Sequence, residues 1–354
     1  MYDPLMLQAV LGTSRAEFDA LVPSLEAVWH QALAGRPNRQ RSVGAGAKGK
    51  LAGAARKLFF ILFYLKVYPT FDVLSLCFDL DRSECCRWVH RLLPVLEQVL
   101  GRQLVLPKRK ISSLAEFAAA FPGVQEVFVD GMERPIQRPT KPSTNRNHYS
   151  GKKKRYTRKA ILVADPTRRI GWLTPSKRGA RHDQRVADAN GVIQAIPESV
   201  SVLTDSGFQG IRQPGLCQPR KGSKHHPLSE EDRAWDRLVS SIRVRVEHAI
   251  GGLNRFGAVS GIYRNHKSNC DDQFNLLAAG LWTFASPSRP SESTSEVQSE
   301  PCQSRIAISQ QVYSSSLWRV EHVHSLPFHL DWGEGPRVRC RFTACICPRI
   351  HNTT

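Results

Sequence analysis

The hydrophobic pattern of this chain changes near Leu106, and that change constrains the fold class. Before it, apolar residues recur at helical spacing, and after it short apolar runs are separated by turn-like segments. The runs cover residues 124–129, 159–164, 170–173 and 200–203, and helices are predicted at 184–196 and from Ser229 to about residue 255. Three strands, a helix, a strand and a late helix predict an α/β domain behind an all-α region.

The segment from about residue 53 to 97 has the layout of a helix-turn-helix. Its helices are predicted at Leu58 to Val67, from the capping residue Thr70 to Phe78, and from the capping residue Ser83 to Pro94. On the third helix Arg87 and Arg91 share a stripe that is expected to face the DNA major groove. A short helical hairpin with a basic outer face has the same pattern, so this segment alone leaves both interpretations open.

The charge balance indicates a polyanionic partner. The chain has 50 Lys and Arg against 31 Asp and Glu, a formal net charge of +19, which favours nucleic acid. The longest strongly apolar run, Leu58 to Leu65, is too short to cross a membrane, and the N-terminus has no secretory pattern. We therefore expect a cytoplasmic protein with nucleic acid as its partner and no membrane contact.

Three acidic residues are candidates for a metal site. Asp130 and Asp205 are each predicted at or just beyond the end of an apolar strand, where a carboxylate emerges into a crevice, and Glu247 projects from the late helix. Carboxylate oxygens suit Mg²⁺ or Mn²⁺, and two such ions activate a hydroxyl nucleophile and stabilise a leaving oxygen in phosphodiester chemistry. Taken singly, each acid is more often a surface residue, so the prediction depends on all three together.

A dense basic stretch lies between the first two acids. Residues 134–159 contain ten Lys or Arg, including Lys152, Lys153, Lys154 and Arg155. The stretch is either a clamp on the DNA backbone or a mobile solvated hairpin, and its closeness to Asp130 in sequence favours the clamp.

The neighbouring residues His182 and Asp183 resemble a general-base pair. Adjacent side chains rarely face one another, so we predict a structural role for them. The chain has no phosphate-binding Gly-rich loop that ends in Lys-Ser or Lys-Thr and no nucleophile elbow, so the enzyme classes that depend on these motifs lose support.

Four segments resemble the DDE transposases of bacterial insertion sequences, most closely the group often called "IS five". They are VFVDGMERPIQRP (127–139), YSGKKKRYTRKAILVAD (149–165), LTDSGFQG (203–210) and RVRVEHAIGGLNRF (243–256). The resemblance covers roughly residues 10–285. It implies a helix-turn-helix region within residues 1–105 and a ribonuclease-H-like catalytic domain over 106–285.

The resemblance also implies roles for individual residues. Asp130, Asp205 and Glu247 would be the catalytic and metal-binding acids, holding two Mg²⁺ or Mn²⁺ ions. Arg243 keeps the family's spacing to Glu247 on the last helix, but Ser240 stands where the family has Tyr. Asn254 stands where the family has Lys, and the adjacent Arg255 is the residue that would reach a phosphate instead.

The activity implied is metal-dependent DNA cleavage and strand transfer at the terminal inverted repeats of an insertion sequence, by a homodimer or higher oligomer on DNA. The resemblance also implies a bacterial protein that is associated with the nucleoid in the cytoplasm. Two alternatives stay open: a catalytically decayed DNA-binding protein derived from a transposase, and a metal-dependent nuclease without strand transfer. Residues 286–354 begin with a Ser- and Pro-rich segment and are expected to be a disordered or non-native tail.

Overall fold

The structure, a computed structural model, describes residues 4–35, 49–211, 213–223, 225, 227–265 and 270–285. The predicted tail from residue 286 onward lies outside the described residues. No described helix is both long enough and apolar enough to span a membrane.

Among the described residues, five helices form the N-terminal region. They are α1 (Pro4–Leu11), α2 (Arg15–Ala34), α3 (Ala54–Val67), α4 (Phe71–Phe78) and α5 (Arg82–Arg102). Helix α3 is buried and ends at Val67 as predicted, but it begins at Ala54 and not at Leu58. Helix α4 confirms the prediction, and the hydroxyl of Thr70 accepts a hydrogen bond from the Val73 amide at its start. A left-handed Asp79 ends α4, so α4 and α5 are joined by a tight turn.

The predicted bounds of α5 were wrong at both ends. The helix begins at Arg82 with Asp81 in the N-cap position, not Ser83, and it continues past Pro94 to Arg102. Pro94 is exposed, whereas Val95, Leu96 and Val99 are buried. The packing of these buried side chains maintains the helix although proline removes one backbone hydrogen bond.

The described residues that follow α5 form a mixed sheet with helices on both faces. Its elements are α6 (Leu114–Ala120), β1 (Glu126–Pro135), α7 (Pro142–His148), β2 (Tyr149–Ser150), β3 (Arg155–Ala164), β4 (Ile170–Leu173), β5 (Lys177–Arg178), α8 (Asp183–Asp188), β6 (Ser201–Thr204), β7 (Leu216–Cys217), α9 (Glu230–Asn254), α10 (Gly257–Ser260) and α11 (Cys270–Ala285). The neighbouring strands are β4, β3, β1, β6 and β7, while β2 and β5 also pair with β3. This arrangement confirms the predicted α/β domain.

The first strand is longer than predicted. We expected it to end at Asp130, but β1 continues to Pro135 because its antiparallel pairing with β3 extends to Pro135 opposite Thr157. The parallel pairing with β6 is shorter and ends at Val129 opposite Thr204. Asp130 therefore lies inside a strand, at the level where one of its two neighbours stops.

The predicted helix at 184–196 is also shorter in the structure. Helix α8 ends at Asp188, and Gly191 adopts a positive φ of 64° that glycine accommodates without strain. Apolar residues beyond that turn, including Val192 and Ile196, still pack on the sheet. Their spacing resembled a helix because they share one buried face.

The two faces of the sheet are covered by different helices. Val127 and Val129 point to the face that carries α6 and α8, where they join a buried core with Phe117 and Val186. Side chains alternate along a strand, so Asp130 points to the other face, on which α9 packs. Helix α9 thus lies above the site.

The helical region and the sheet domain are joined by packed side chains. The ring of Phe274 on α11 lies 6.1 Å from that of Tyr64 and 6.0 Å from that of Tyr68. The ammonium of Lys66 donates a hydrogen bond to the carbonyl of Arg255 at 2.7 Å. These contacts connect the end of α3 to α11 and to the residue that follows α9.

Two neighbouring glycines near the end of α9 offer a matched test of this packing. A Cβ on Gly252 would overlap the Trp282 indole, whereas one on Gly251 would meet nothing within 4 Å. We expect Gly252→Ala to lower the free energy of unfolding by about 1–3 kcal/mol through overpacking. Gly251→Ala should raise it by up to about 1 kcal/mol through helix propensity. Urea unfolding measures both, and equal effects would contradict this packing.

Candidate active site and DNA interface

Asp130 and Asp205 lie side by side on one face of the sheet. Val129 pairs with Thr204 across the parallel strands β1 and β6, and each acid is the next residue of its chain segment. Residues at equivalent positions of parallel strands point to the same face. The structure thus brings together two of the three predicted acids.

Arg243 of α9 contacts both carboxylates. Its Nη2 lies 3.4 Å from Oδ2 of Asp130, and its Nη1 lies 3.7 Å from Oδ1 of Asp205. Arg243 is buried, with 9% of its surface exposed, so its charge is largely shielded from water. One guanidinium therefore links the two acids.

Backbone amides orient the same carboxylates. The Gly131 amide donates to Oδ1 of Asp130 at 2.7 Å, and the Ser206 amide donates to Oδ1 of Asp205 at 2.5 Å. Asp205 is also the N-cap of a short 3-10 turn over Ser206–Phe208. Both acids are held by their own following residues, which preorganises them.

The pKa of Asp130 is raised to about 6. Burial is the main cause, and the Gly131 amide and Arg243 oppose it, while Asp205 and Asp183 raise the pKa further. Desolvation therefore outweighs the nearby guanidinium.

This pKa shift predicts a pH dependence of stability. We expect the free energy of unfolding of the metal-free protein to fall as pH rises from about 4 to about 6, by about 3 kcal/mol in the contribution of Asp130. In this window folded Asp130 retains a proton that the unfolded chain, with a carboxyl pKa near 3.8, has released. Urea unfolding across this pH range in EDTA measures the effect, and Asp130→Asn should lack it. Superimposable pH profiles of the two proteins would contradict the shift.

A second charged cluster lies behind β1, on the opposite face from Asp130. Lys159 is the cross-strand partner of Glu133, and its ammonium lies 3.3 Å from Oε1 of Glu133 and 2.7 Å from Oδ1 of Asp183. It also donates to the carbonyl of Arg181 at 2.9 Å. The side chains of Lys159 and Glu133 are 8% and 5% exposed, so this cluster is a buried part of the fold.

Asp183 fits between the two acidic segments because glycines follow the acids. A Cβ on Gly131 would lie 2.8 Å from Oδ1 of Asp183, and one on Gly207 would lie 3.1 Å from Oδ2. Its carboxylate pairs with Lys159 rather than with the adjacent His182. Sequence reasoning did not connect Asp183, Lys159 and Glu133 to the site. The glycine after Asp130 and the glycine two residues after Asp205 were the available signal in the sequence, because they indicate that another group packs closely against both segments.

Glu247 is not gathered with the other two acids. It is exposed on α9, four residues after Arg243 and so one helical turn further along the same side. No group of three His, Cys, Asp or Glu side chains spaced to hold a metal ion occurs among the residues that the structure describes. Glu247 as the third acid stays a prediction.

The donor atoms at Asp130 and Asp205 fit a divalent cation. Both are carboxylates, which hard cations such as Mg²⁺ and Mn²⁺ prefer. Two like charges at adjacent strand positions also need compensation, and here Arg243 lies between them. The pair therefore forms a site that attracts positive charge.

The basic stretch forms a hairpin beside this pair. Its turn covers residues 151–154, and the side chains of Lys152, Lys153, Lys154 and Arg155 are exposed. The ammonium of Lys152 lies 3.8 Å from Oδ2 of Asp205. At least one lysine of the hairpin thus reaches the acids.

Arg87 and Arg91 are exposed on α5, as the sequence predicted. They line a groove of about 920 Å³ together with residues of α3, α4 and Arg264. The guanidinium of Arg91 lies 5.6 Å from the ring of Trp88. This side of the helical region presents cations to solvent.

Arg255 lies away from the acids. It follows α9 directly, 12 residues after Arg243, which corresponds to about 18 Å along the helix. Its carbonyl contacts Lys66 of α3. Ser240 and Asn254, the two departures from the family pattern, are both exposed on α9.

Comparison with known proteins finds matches to both the helical region and the sheet domain. Residues 129–281 match the family model described as DDE superfamily endonuclease, and residues 49–102 match the helix-turn-helix of DDE superfamily endonuclease. A relative from Microchaete diplosiphon, named probable transposase for insertion sequence element IS702, is 28% identical over 276 residues. These cover 77% of this chain and 91% of the relative.

These matches confirm the predicted helix-turn-helix region and the ribonuclease-H-like α/β domain that follows it. They also support DNA as the partner and a divalent metal ion as the cofactor. Together, the two family matches and the relative support a DDE transposase or endonuclease of an insertion sequence, with an N-terminal helix-turn-helix region.

Proposed function

We propose that this transposase cuts DNA at the terminal inverted repeats of its insertion sequence and joins the freed 3′-hydroxyl to target DNA. The observation that carries the proposal is the position of Asp130 and Asp205, which directly follow the paired residues Val129 and Thr204 and are both contacted by Arg243 of α9. Asp130, Asp205 and Glu247 are the proposed catalytic acids, and two Mg²⁺ or Mn²⁺ ions are the proposed cofactors. Bound there, these ions would stabilise the attacking and leaving oxygens of a phosphodiester.

The chain's own residues would position the DNA. Lys152, Lys153, Lys154 and Arg155 form an exposed cationic edge beside the acids, which suits the backbone of the strand being cut. Arg243 would contact a phosphate in the site. Arg255 would act further along α9, near the helical region.

The helix-turn-helix would recognise the element end. We assign this role to residues 1–105, with Arg87 and Arg91 of α5 in the major groove, and assign catalysis to 106–285. Both ends of an element have to be held together for transposition, which supports a homodimer or higher oligomer on DNA.

The test is an assay with purified protein and labelled DNA carrying one element end, in Mg²⁺, Mn²⁺ or EDTA. We expect nicking at the end and joining to a target plasmid with either ion, and binding without cleavage in EDTA. Cleavage without joining would indicate a nuclease. Repeat-specific binding without cleavage in any ion would indicate a decayed protein.

A further inference from the structure

The two acids are neutralised by two cations from different parts of the chain. Arg243 of α9 contacts both carboxylates, and Lys152 of the hairpin turn contacts Asp205. Two negative and two positive charges thus balance at the site. Both cations belong to the elements that would also contact DNA, so the same side chains have two competing partners.

The contacts of Arg243 are loose for a buried guanidinium. Its distances of 3.4 and 3.7 Å to the acids exceed the 2.7–2.9 Å or so of charge-assisted hydrogen bonds. Its buried Nε has no hydrogen-bond partner among the described residues. Arg243 lies between two carboxylates and makes no bidentate hydrogen-bonded pair with either one. Its side chain can therefore move without breaking a well-formed pair of hydrogen bonds.

The positive charge of Arg243 can be removed from the two acids only if its side chain moves away. The guanidinium does not lose its proton in proteins, so its positive charge persists whatever else enters the site. A divalent cation on Asp130 and Asp205 would repel it across a few ångströms of largely buried space. Lys152 is 70% exposed in its side chain, so its displacement costs less.

We propose that Arg243 and Lys152 hold the two acids in the metal-free protein and turn to DNA phosphates when a divalent cation takes their place. The proposal rests on the metal-binding role proposed for Asp130 and Asp205. Released guanidinium and ammonium groups suit phosphate oxygens, so binding of the metal and binding of DNA would strengthen each other. The protein would then hold DNA most tightly when it is ready to cut.

The first test is Mn²⁺ binding to the full-length protein without DNA, measured by calorimetry. We expect Arg243→Gln to bind Mn²⁺ roughly fivefold more tightly or better, within the usual range of such couplings. Lys152→Gln should gain about twofold, because its exposed contact is screened. Arg243→Lys keeps the positive charge and should bind Mn²⁺ like the wild type.

Two neighbouring cations provide matched controls. Arg245 lies on the same helix but pairs with Glu126 at 3.4 Å, and Lys153 is the next residue of the hairpin turn. In this assay without DNA, we expect Arg245→Gln and Lys153→Gln to bind Mn²⁺ with wild-type affinity. Circular dichroism of each variant verifies folding. Unchanged or weaker Mn²⁺ binding by folded Arg243→Gln would overturn the proposal.

The second test measures the coupling itself. Duplex DNA is titrated at constant ionic strength with and without Ca²⁺, which also takes oxygen ligands. Ca²⁺ should tighten DNA binding by the wild type and do so less for Arg243→Gln, whereas an equal effect on both would contradict the coupling. These readouts are independent of cleavage. If the protein never cuts DNA but Arg243→Gln still binds Mn²⁺ more tightly, the proposed exchange of cations stands and the proposed cleavage reaction is wrong.

Discussion

We expect Asp130→Asn to lower the rate of DNA cleavage by on the order of 10³-fold or more. Asparagine keeps the size of the side chain but removes the negative charge that faces α9 beside Asp205. DNA binding in EDTA should persist, because the exposed arginines of α5 are unchanged. The rate of nicking of a labelled element end in Mg²⁺ measures the loss.

The control for this variant is Asp188→Asn. Asp188 ends α8 and is exposed, outside the pair of acids, so cleavage should continue at close to the wild-type rate. If Asp130→Asn cleaved DNA at the wild-type rate, the proposed active site would be wrong. In the same assay Glu247→Gln tests the third acid, and full activity of that variant alone would leave Asp130 and Asp205 as the site.

Lys159→Ala should destabilise the fold more than any surface change, by about 3–5 kcal/mol. The substitution leaves Glu133 and Asp183 without the ammonium that lies within 3.3 Å of both. It also frees the Arg181 carbonyl of its hydrogen bond. Urea unfolding at neutral pH gives the change in the free energy of unfolding.

Two further variants show whether charge is the cause. Adding Glu133→Gln and Asp183→Asn to Lys159→Ala removes the unpaired charges and should recover part of the lost stability. Lys110→Ala, at an exposed lysine, should change stability by less than about 0.5 kcal/mol. If Lys159→Ala were as mild as Lys110→Ala, the buried cluster would not support the fold as described.

The segments that local chemistry specifies were predicted well. Thr70 and Ser229 cap α4 and α9 as expected, because a cap depends on residues only three positions away. The strands β4 and β6 follow from short apolar runs whose burial is a local pattern. Where long-range pairing decides, as in the extension of β1 beyond Asp130 along β3, the prediction was wrong.

By itself, the sequence determined that an all-α region precedes an α/β domain, that the chain is basic, and that acidic motifs lie at Asp130 and Asp205. Only the tertiary structure decided that Arg243, 113 positions from Asp130, lies between these acids, and that Asp183 packs behind them. The physical reason is the distance along the chain between the residues that determine each feature. Caps and apolar runs depend on neighbours in the chain, whereas the position of Arg243 depends on how α9 packs across the paired strands β1 and β6.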